Sequence, residues 1–175
     1  IAYKLKTWKL PLSGRNSRGK PIINILPIPK EISITTIMPV EVAEDSWDSL
    51  HIFFSTSNGS VRRNALSDFS NVRANGKIAI KLQPETSLVD VKICSENDDI
   101  MIATSEGKAI RFNVSDVRVF KGRESSGVRG IKLSKNDQVV SMSILTNVTA
   151  SSNERLAFTK MSRSDNHTDN VNYDV

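Results

Sequence analysis

Cysteine, histidine and aromatic residues are scarce in this sequence. Its 175 residues include one cysteine and two histidines, and aromatic residues make up 6%. The single Cys94 excludes an internal disulfide and is typical of a protein in a reducing compartment. No set of histidine, cysteine and carboxylate residues has the spacing of a metal site. There is no apolar run of about 18 residues, so we expect no helix that crosses a membrane.

Catalytic patterns are missing as well. Nothing resembles a serine or cysteine nucleophile beside its base. The segment Gly14–Lys20 resembles a phosphate-binding loop, but Pro21 stands where that motif needs a hydroxyl group for magnesium. The apolar segment Ile22–Leu26 that follows is predicted to be a strand, whereas the motif requires a helix. The acidic turn Glu96–Asp99 lacks the pattern of a calcium loop. We therefore expect no catalytic residue, no metal site and no cofactor in this segment.

A repeat of 48 residues dominates what the sequence does contain. Ile52–Gly59 and Ile100–Gly107 are each an apolar run followed by Thr-Ser, one polar residue and Gly. Four-stranded propeller blades have periods of this length, so we expect several copies of one β unit. The first copy lacks its own apolar run, which predicts a piece of a longer protein. The predicted repeats span residues 1–43, 44–94 and 95–145.

Short segments that are rich in valine and isoleucine and bounded by turn residues predict β-strands. They are Ile52–Ser55, Ile78–Leu82, Leu88–Ile93, Ile100–Ala103 and Val139–Ile144. Asn58-Gly59 predicts a hairpin, and Gly107 stands at the equivalent place. We expect an all-β fold with about four strands per repeat. Residues 146–175 are predicted to be an insertion or edge segment, with helical periodicity at 152–161 and a disordered polar tail from residue 162.

The sign of the charge alternates with the repeat. Residues 59–82 carry five basic and one acidic side chain, residues 83–106 one basic and six acidic, and residues 107–132 seven basic and two acidic. Copies that lie side by side would align their basic parts into one stripe, which suits a phosphate backbone and reads no sequence. The alternative, which charge alone leaves open, is that these side chains only solvate exposed strands.

The basic side chains of these segments and of the Gly14–Lys20 loop are the candidate phosphate contacts. Because side chains alternate along a strand, Arg62 and Arg63 are expected to point to opposite faces, so at most one of them lies on the stripe. The candidates are Arg15, Arg18, Lys20, Arg62, Arg63, Arg73, Lys77, Lys108, Arg111, Lys121, Arg123, Arg129 and Lys132.

Residues 1 to about 145 resemble the C-terminal domain of the gyrase A protein, which belongs to DNA gyrase, a bacterial type II topoisomerase. The segment Val61–Phe69 is especially similar to alphaproteobacterial versions. The motifs that carry the resemblance are Tyr3–Lys6, Arg18–Pro27, Ser57–Arg63, Arg73–Leu82, Glu106–Phe112 and Gly127–Leu133.

The resemblance implies a β-pinwheel, a propeller-like disc of six blades that is incomplete in this chain, whose basic rim wraps duplex DNA and supports negative supercoiling. It implies duplex DNA, the gyrase B protein and a second copy of the gyrase A protein as partners, in the bacterial cytoplasm at the nucleoid. ATP and magnesium would be used by the rest of the enzyme, and no catalytic residue is implied here.

The chain departs from the family pattern at its signature box, Gln-Arg-Arg-Gly-Gly-Lys-Gly, which is absent; Ser13–Lys20 and Arg73–Lys77 are its degenerate counterparts. One alternative is therefore the related C-terminal domain of the topoisomerase IV A protein, which has no box. Another, of a different class, is a protein-binding β-propeller, whose surface would offer an apolar or mixed patch and whose binding would depend less on salt.

Overall fold

Seven β-strands in two sheets form the body of the protein. The structure, a computed structural model, describes residues 1–29, 34–122 and 125–165. Within those residues the strands are β1 (His51–Thr56), β2 (Ser60–Ala65), β3 (Leu88–Cys94), β4 (Asp99–Thr104), β5 (Ala109–Asn113), β6 (Val128–Arg129) and β7 (Val139–Leu145). Short 3-10 turns lie at Thr7–Lys9, Ile22–Asn24, Glu44–Ser49, Leu66–Phe69 and Val114–Asp116, and the helix α1 spans Ser152–Asp165.

The two sheets repeat one strand order, as the 48-residue period predicts. The central sheet has the order β3-β1-β2-β6 and the outer sheet the order β5-β4-β7, with all neighbours antiparallel. The predicted hairpins are confirmed, because Gly59 (φ +81°) and Gly107 (φ +78°) both adopt the left-handed conformation that such a turn needs. The predicted all-β pinwheel class is therefore confirmed for this part of the chain.

The fourth strand of the central sheet comes from the following repeat. Strand β6 pairs with β2 through Val61 and Val128, and one repeat earlier an isolated bridge joins Ala2 to Lys77. The predicted strand Ile78–Leu82 is wrong, because pairing ends at Lys77 and the chain then runs on without a ladder, with Ile78 58% exposed. The predicted strand Ile22–Leu26 is also wrong, since that segment forms a 3-10 turn.

Two hydrophobic clusters cover the two faces of the central sheet. Side chains alternate along β1, so Phe53 packs into one cluster while Ile52 and Phe54 pack into the other. Each such buried side chain stabilises the fold by roughly 1.5–3 kcal/mol. The cluster between the two sheets includes Phe53, Val61, Ile100, Ile102 and Met142. The cluster on the far face includes Trp47, Ile52, Phe54, Leu66 and Phe69.

The helix α1 begins with a reciprocal cap. The Ser151 backbone N–H donates to Glu154 Oε2 at 2.7 Å, and the Glu154 backbone N–H donates to Ser151 Oγ at 3.3 Å. The helix continues to Asp165, so the prediction of disorder from residue 162 is wrong for 162–165, while 166–175 lie outside the described residues. In the described part of the chain, no helix is both long and apolar enough to span a membrane.

Candidate nucleic-acid interface

A basic segment runs along the free side of strand β2. The Phe120 backbone N–H donates to the Arg63 carbonyl at 2.8 Å, and the Gly130 backbone N–H donates to the Gly59 carbonyl at 2.8 Å. These bonds hold the described residues 117–122 and 125–132 beside β2, and we call these residues the basic edge. Its exposed cations form no ion pair among the described residues; they are Arg118, Lys121, Arg129 and Lys132.

The preceding repeat carries its cations at the equivalent place. The bridge between Ala2 and Lys77 corresponds to the pairing of Val61 with Val128, so Arg73 and Lys77 lie beside the first repeat as the basic edge lies beside the second. Arg73 is exposed. Lys77 is half-buried, donates from Nζ to the Asp68 carbonyl and lies 5.7 Å from the Phe69 ring centroid. Consecutive units thus present cations on the same side.

At the opposite edge of the central sheet, a lysine is paired with a neighbouring carboxylate. Strand β3 forms that edge, and on it Lys92 Nζ lies 3.2 Å from Asp90 Oδ2. The basic edge is about 15 Å away, three strand spacings of about 4.8 Å. That exceeds the Debye length of about 8 Å at physiological ionic strength, so charges on β3 have little influence on an anion at the basic edge.

Two of the sequence-predicted contacts are corrected by the structure. Arg62 is 0% exposed and Arg63 is 4% exposed, because the central sheet is covered on both faces. Arg63 Nη2 lies 3.6 Å from Glu96 Oε1. Burial lowers the pKa of the Arg62 guanidinium, which the nearby Asp68 carboxylate opposes. Neither arginine is placed to reach a phosphate.

The remaining candidates that the structure describes are exposed but differ in their partners. Arg15, Arg18 and Lys20 extend from an open loop. Lys108 Nζ lies 3.2 Å from Glu106 Oε2. Arg123 lies outside the described residues.

Arg111, on β5, is held by the buried Asp99. Its Nε donates to Asp99 Oδ2 at 2.6 Å. Asp99 Oδ1 also accepts from Asn147 Nδ2 at 2.8 Å and from Asn113 Nδ2 at 3.2 Å. The hydrogen bond from Asn147, with those from Arg111 and Asn113 and the Arg111 charge, lowers the pKa of Asp99, against the effect of burial.

Sequence reasoning missed Arg118. Its guanidinium carbon lies 4.3 Å from the centroid of the Phe120 ring, which is within the range of a cation–π interaction. The signal was an aromatic residue two positions after an arginine in a basic segment. In the described residues, no group of three or more histidine, cysteine, aspartate and glutamate side chains could hold a metal ion.

A family model shows the family of the chain. The model for the DNA gyrase C-terminal domain, a beta-propeller, matches residues 1–30, 50–95 and 98–146, one stretch for each predicted repeat. The chain belongs to this family. The three matched stretches correspond to the first repeat, the central sheet and the outer sheet.

Curated relatives agree with this assignment. The chain is 46% identical over 160 residues to the DNA gyrase A protein of Rickettsia bellii, which covers 91% of the chain and 18% of that protein. It is 40% identical over 140 residues to the DNA gyrase A protein of Escherichia coli K12, which covers 80% of the chain and 16% of that protein. The chain therefore spans less than a fifth of the length of these relatives. The resemblance to alphaproteobacterial gyrase is confirmed.

Solved structures share the fold. The C-terminal domain of DNA topoisomerase IV matches with a TM-score of 0.64 at 27% identity, covering 74% of this chain and 39% of that one. The DNA gyrase A C-terminal domain matches with a TM-score of 0.62 at 25% identity, covering 72% of this chain and 40% of that one. The fold thus does not separate the two kinds of domain, whereas the family model and the curated relatives are those of gyrase.

Proposed function

We propose that this chain is a DNA-wrapping segment of the DNA gyrase A protein. The observation that carries the proposal is the position of exposed cations that form no ion pair with any other described residue. Arg73 lies beside the first repeat, and Arg118, Lys121 and Arg129 lie beside the second, at equivalent edges of consecutive units. Units stacked in this way align their edges into a curved basic stripe.

Duplex DNA is the ligand that such a stripe suits. DNA carries one negative charge per about 1.7 Å of helix axis, and each lysine or arginine that meets a phosphate releases condensed counterions. The cations are held by backbone pairing at the sheet edge, so they bind the phosphate backbone and read no base. Curvature of the stack would bend the duplex around the rim.

The chain's role in supercoiling is to set the handedness with which the DNA is wrapped. A DNA segment wrapped in one sense is presented to the rest of the enzyme in a fixed orientation, so that strand passage removes positive turns. Strand passage itself would be carried out elsewhere, by other domains of the gyrase A protein together with its second copy, the gyrase B protein, ATP and magnesium. The proposal assigns no chemical step to this chain.

A salt titration tests the binding. The affinity for duplex DNA should fall linearly with salt on logarithmic axes, with a slope of about 0.9 per phosphate contact. Four contacts predict a loss of roughly 100-fold between 50 and 200 mM salt. The measurement is fluorescence anisotropy with two labelled duplexes of unrelated sequence, which should bind equally. Salt-insensitive binding of a protein partner with no binding of DNA would favour the protein-binding propeller.

A supercoiling assay tests the role in the enzyme. Gyrase reconstituted with and without this region should differ in one activity only. Without it, introduction of negative supercoils into a relaxed plasmid should be lost, while relaxation or decatenation should persist. Undiminished negative supercoiling by the truncated enzyme would refute the wrapping role.

A further inference from the structure

Arg62 is a buried cation that ties strand β2 to the basic edge. Its Nε donates to Asn64 Oδ1 at 2.8 Å, and its two terminal nitrogens donate to the backbone carbonyls of Gly122 and Ser125. A guanidinium group is planar and presents its donors as a rigid fork, so one side chain can hold two carbonyls at a fixed separation. Arg62 therefore binds the basic edge on both sides of residues 123–124, at Gly122 and Ser125.

Asn64 adds a second tie to the same segment. Its Nδ2 donates to the Phe120 carbonyl at 2.6 Å. The Phe120 ring, which is 6% exposed, lies 5.3 Å from the Arg62 guanidinium carbon and 4.3 Å from that of Arg118. The exposed Arg118 is thus packed on a ring that the buried pair holds in place, and Lys121 is the next residue along the chain.

The next repeat carries different residues at the equivalent places. The residues 48 positions after Arg62 and Asn64 are Ile110 and Phe112, which are apolar. They lie on β5, which forms the edge of the outer sheet in the described part of the chain. The repeated strand can therefore form without the polar pair, whose partners in the central unit are carbonyls of the basic edge.

The geometry points to Arg62 as a positioning residue that holds Arg118 and Lys121 ready for phosphate without touching DNA itself. The inference rests on the proposed DNA-binding function. Side chains that are already ordered lose less conformational entropy on binding than mobile ones, so the buried arginine raises DNA affinity through its neighbours.

Two substitutions at Arg62 separate positioning from direct contact. Arg62→Lys keeps the charge but presents all its donors from one nitrogen, without the planar fork that spans the two carbonyls, whereas Arg62→Met removes the charge as well. We expect both variants of the full chain to bind duplex DNA about tenfold more weakly, which is near the value of one phosphate contact at 0.1 M salt. Near-wild-type affinity of Arg62→Lys with weak binding by Arg62→Met would mean direct contact, and would overturn the inference.

A double-mutant cycle separates positioning from a general loss of stability. If Arg62 acts through Lys121, then Arg62→Lys and Lys121→Gln combined should weaken DNA binding clearly less than the product of their single effects. The control cycle pairs Arg62→Lys with Arg15→Gln, in a separate open loop, and its effects should multiply. Multiplicative effects in both cycles would show a merely structural role and overturn the inference.

A second variant covers the case in which Arg62→Lys does not fold, as judged by circular dichroism and thermal unfolding. Asn64→Ser removes the amide that holds the Phe120 carbonyl and accepts from Arg62 Nε, but it keeps the arginine and its two carbonyl partners, Gly122 and Ser125. It should show the same coupling to Lys121→Gln and none to Arg15→Gln, and the opposite pattern would count against positioning. Failure of the wild-type chain to bind DNA would overturn the proposed function and this inference together. Normal wild-type binding with uncoupled cycles would overturn this inference alone.

Discussion

The central and outer sheets are two copies of one unit in different surroundings. Phe53 and Met101 stand 48 residues apart at equivalent places in β1 and β4, yet Phe53 is 0% exposed and Met101 is 39% exposed. The same holds one strand away, where Arg63 is buried and its counterpart Arg111 is exposed. The outer sheet covers one face of the central sheet, while its own second face is open among the described residues. Burial in this fold is therefore decided by the neighbouring repeat rather than by the unit's own strand pattern.

The two sheets also differ at their edges. The central sheet receives β6 and the basic edge from the following repeat, whereas β5 forms the edge of the outer sheet in the described part of the chain. Ile110, on β5, is accordingly 37% exposed, and Arg62, its counterpart on β2, is 0% exposed. Each unit is completed by chain that belongs to the next, so stability and the presentation of cations are coupled along the array.

Truncating the equivalent side chains Phe53 and Met101 should give the largest difference between the sheets. Phe53→Ala should lower the free energy of unfolding by about 3–5 kcal/mol, because it leaves a cavity between the two sheets. Met101→Ala removes a side chain from an open face and should cost less than about 1 kcal/mol. Urea unfolding followed by circular dichroism measures both. Equal losses would mean that the outer face of β4 is covered in solution.

Substituting the two hairpin glycines should give a smaller difference in stability between the two sheets. Gly59→Ala and Gly107→Ala share a left-handed backbone strain of about 1–2 kcal/mol, since their φ angles are nearly equal. A Cβ at Gly59 would also lie 2.8 Å from the Ile131 carbonyl oxygen, whereas one at Gly107 meets nothing within 4 Å. Gly59→Ala should therefore be less stable than Gly107→Ala by about 1–3 kcal/mol in the same assay. A larger loss at Gly107 would contradict the assigned contact with the next repeat.

The pH dependence of stability should give the smallest difference between the two sheets. His51 and Asp99 occupy equivalent positions. Burial, with the Arg63 charge, lowers the pKa of His51, so its unfolded form takes up a proton first and stability falls as pH drops through 6.5. The hydrogen bond from Asn147 and the other partners lower the pKa of Asp99, so that contribution is present above pH 3.8 and is lost as pH falls through the folded pKa.

The melting temperature measured as a function of pH tests these two pH ranges. His51→Gln should flatten the decline near pH 6 and leave the decline below pH 4 unchanged. Asp99→Asn should do the reverse. Identical pH profiles for the two variants would contradict the assignment.

Local patterns predicted the units, and contacts between units account for the errors. The Asn58-Gly59 turn and the apolar run at Ile52 are set by neighbouring residues, so the hairpins and strand order could be read from the sequence. Alternation assigned Arg62 and Arg63 to opposite faces, but it cannot tell whether a face is covered by another repeat. The strand predicted at Ile78–Leu82 failed because pairing with the preceding unit ends at Lys77, much as it ends at Arg129 in the following repeat. Arg118 was missed because its place on the Phe120 ring arises only when the segment docks on β2.

Charge reversal at two matched sets of three positions tests the central claim most directly. One triple variant reverses Arg73, Lys121 and Arg129 at the edges of consecutive units. The matched control reverses three other exposed cations and changes the net charge equally; these are Lys92, Arg155 and Lys160.

The measurement is the affinity for duplex DNA as a function of salt. The first triple should bind more than about 100-fold more weakly, with a salt slope smaller by about three. The control should lose only a few-fold and keep its slope, because its cations lie away from the stripe. Equal losses in the two triples would show that net charge alone attracts DNA, and would contradict an edge built for the phosphate backbone.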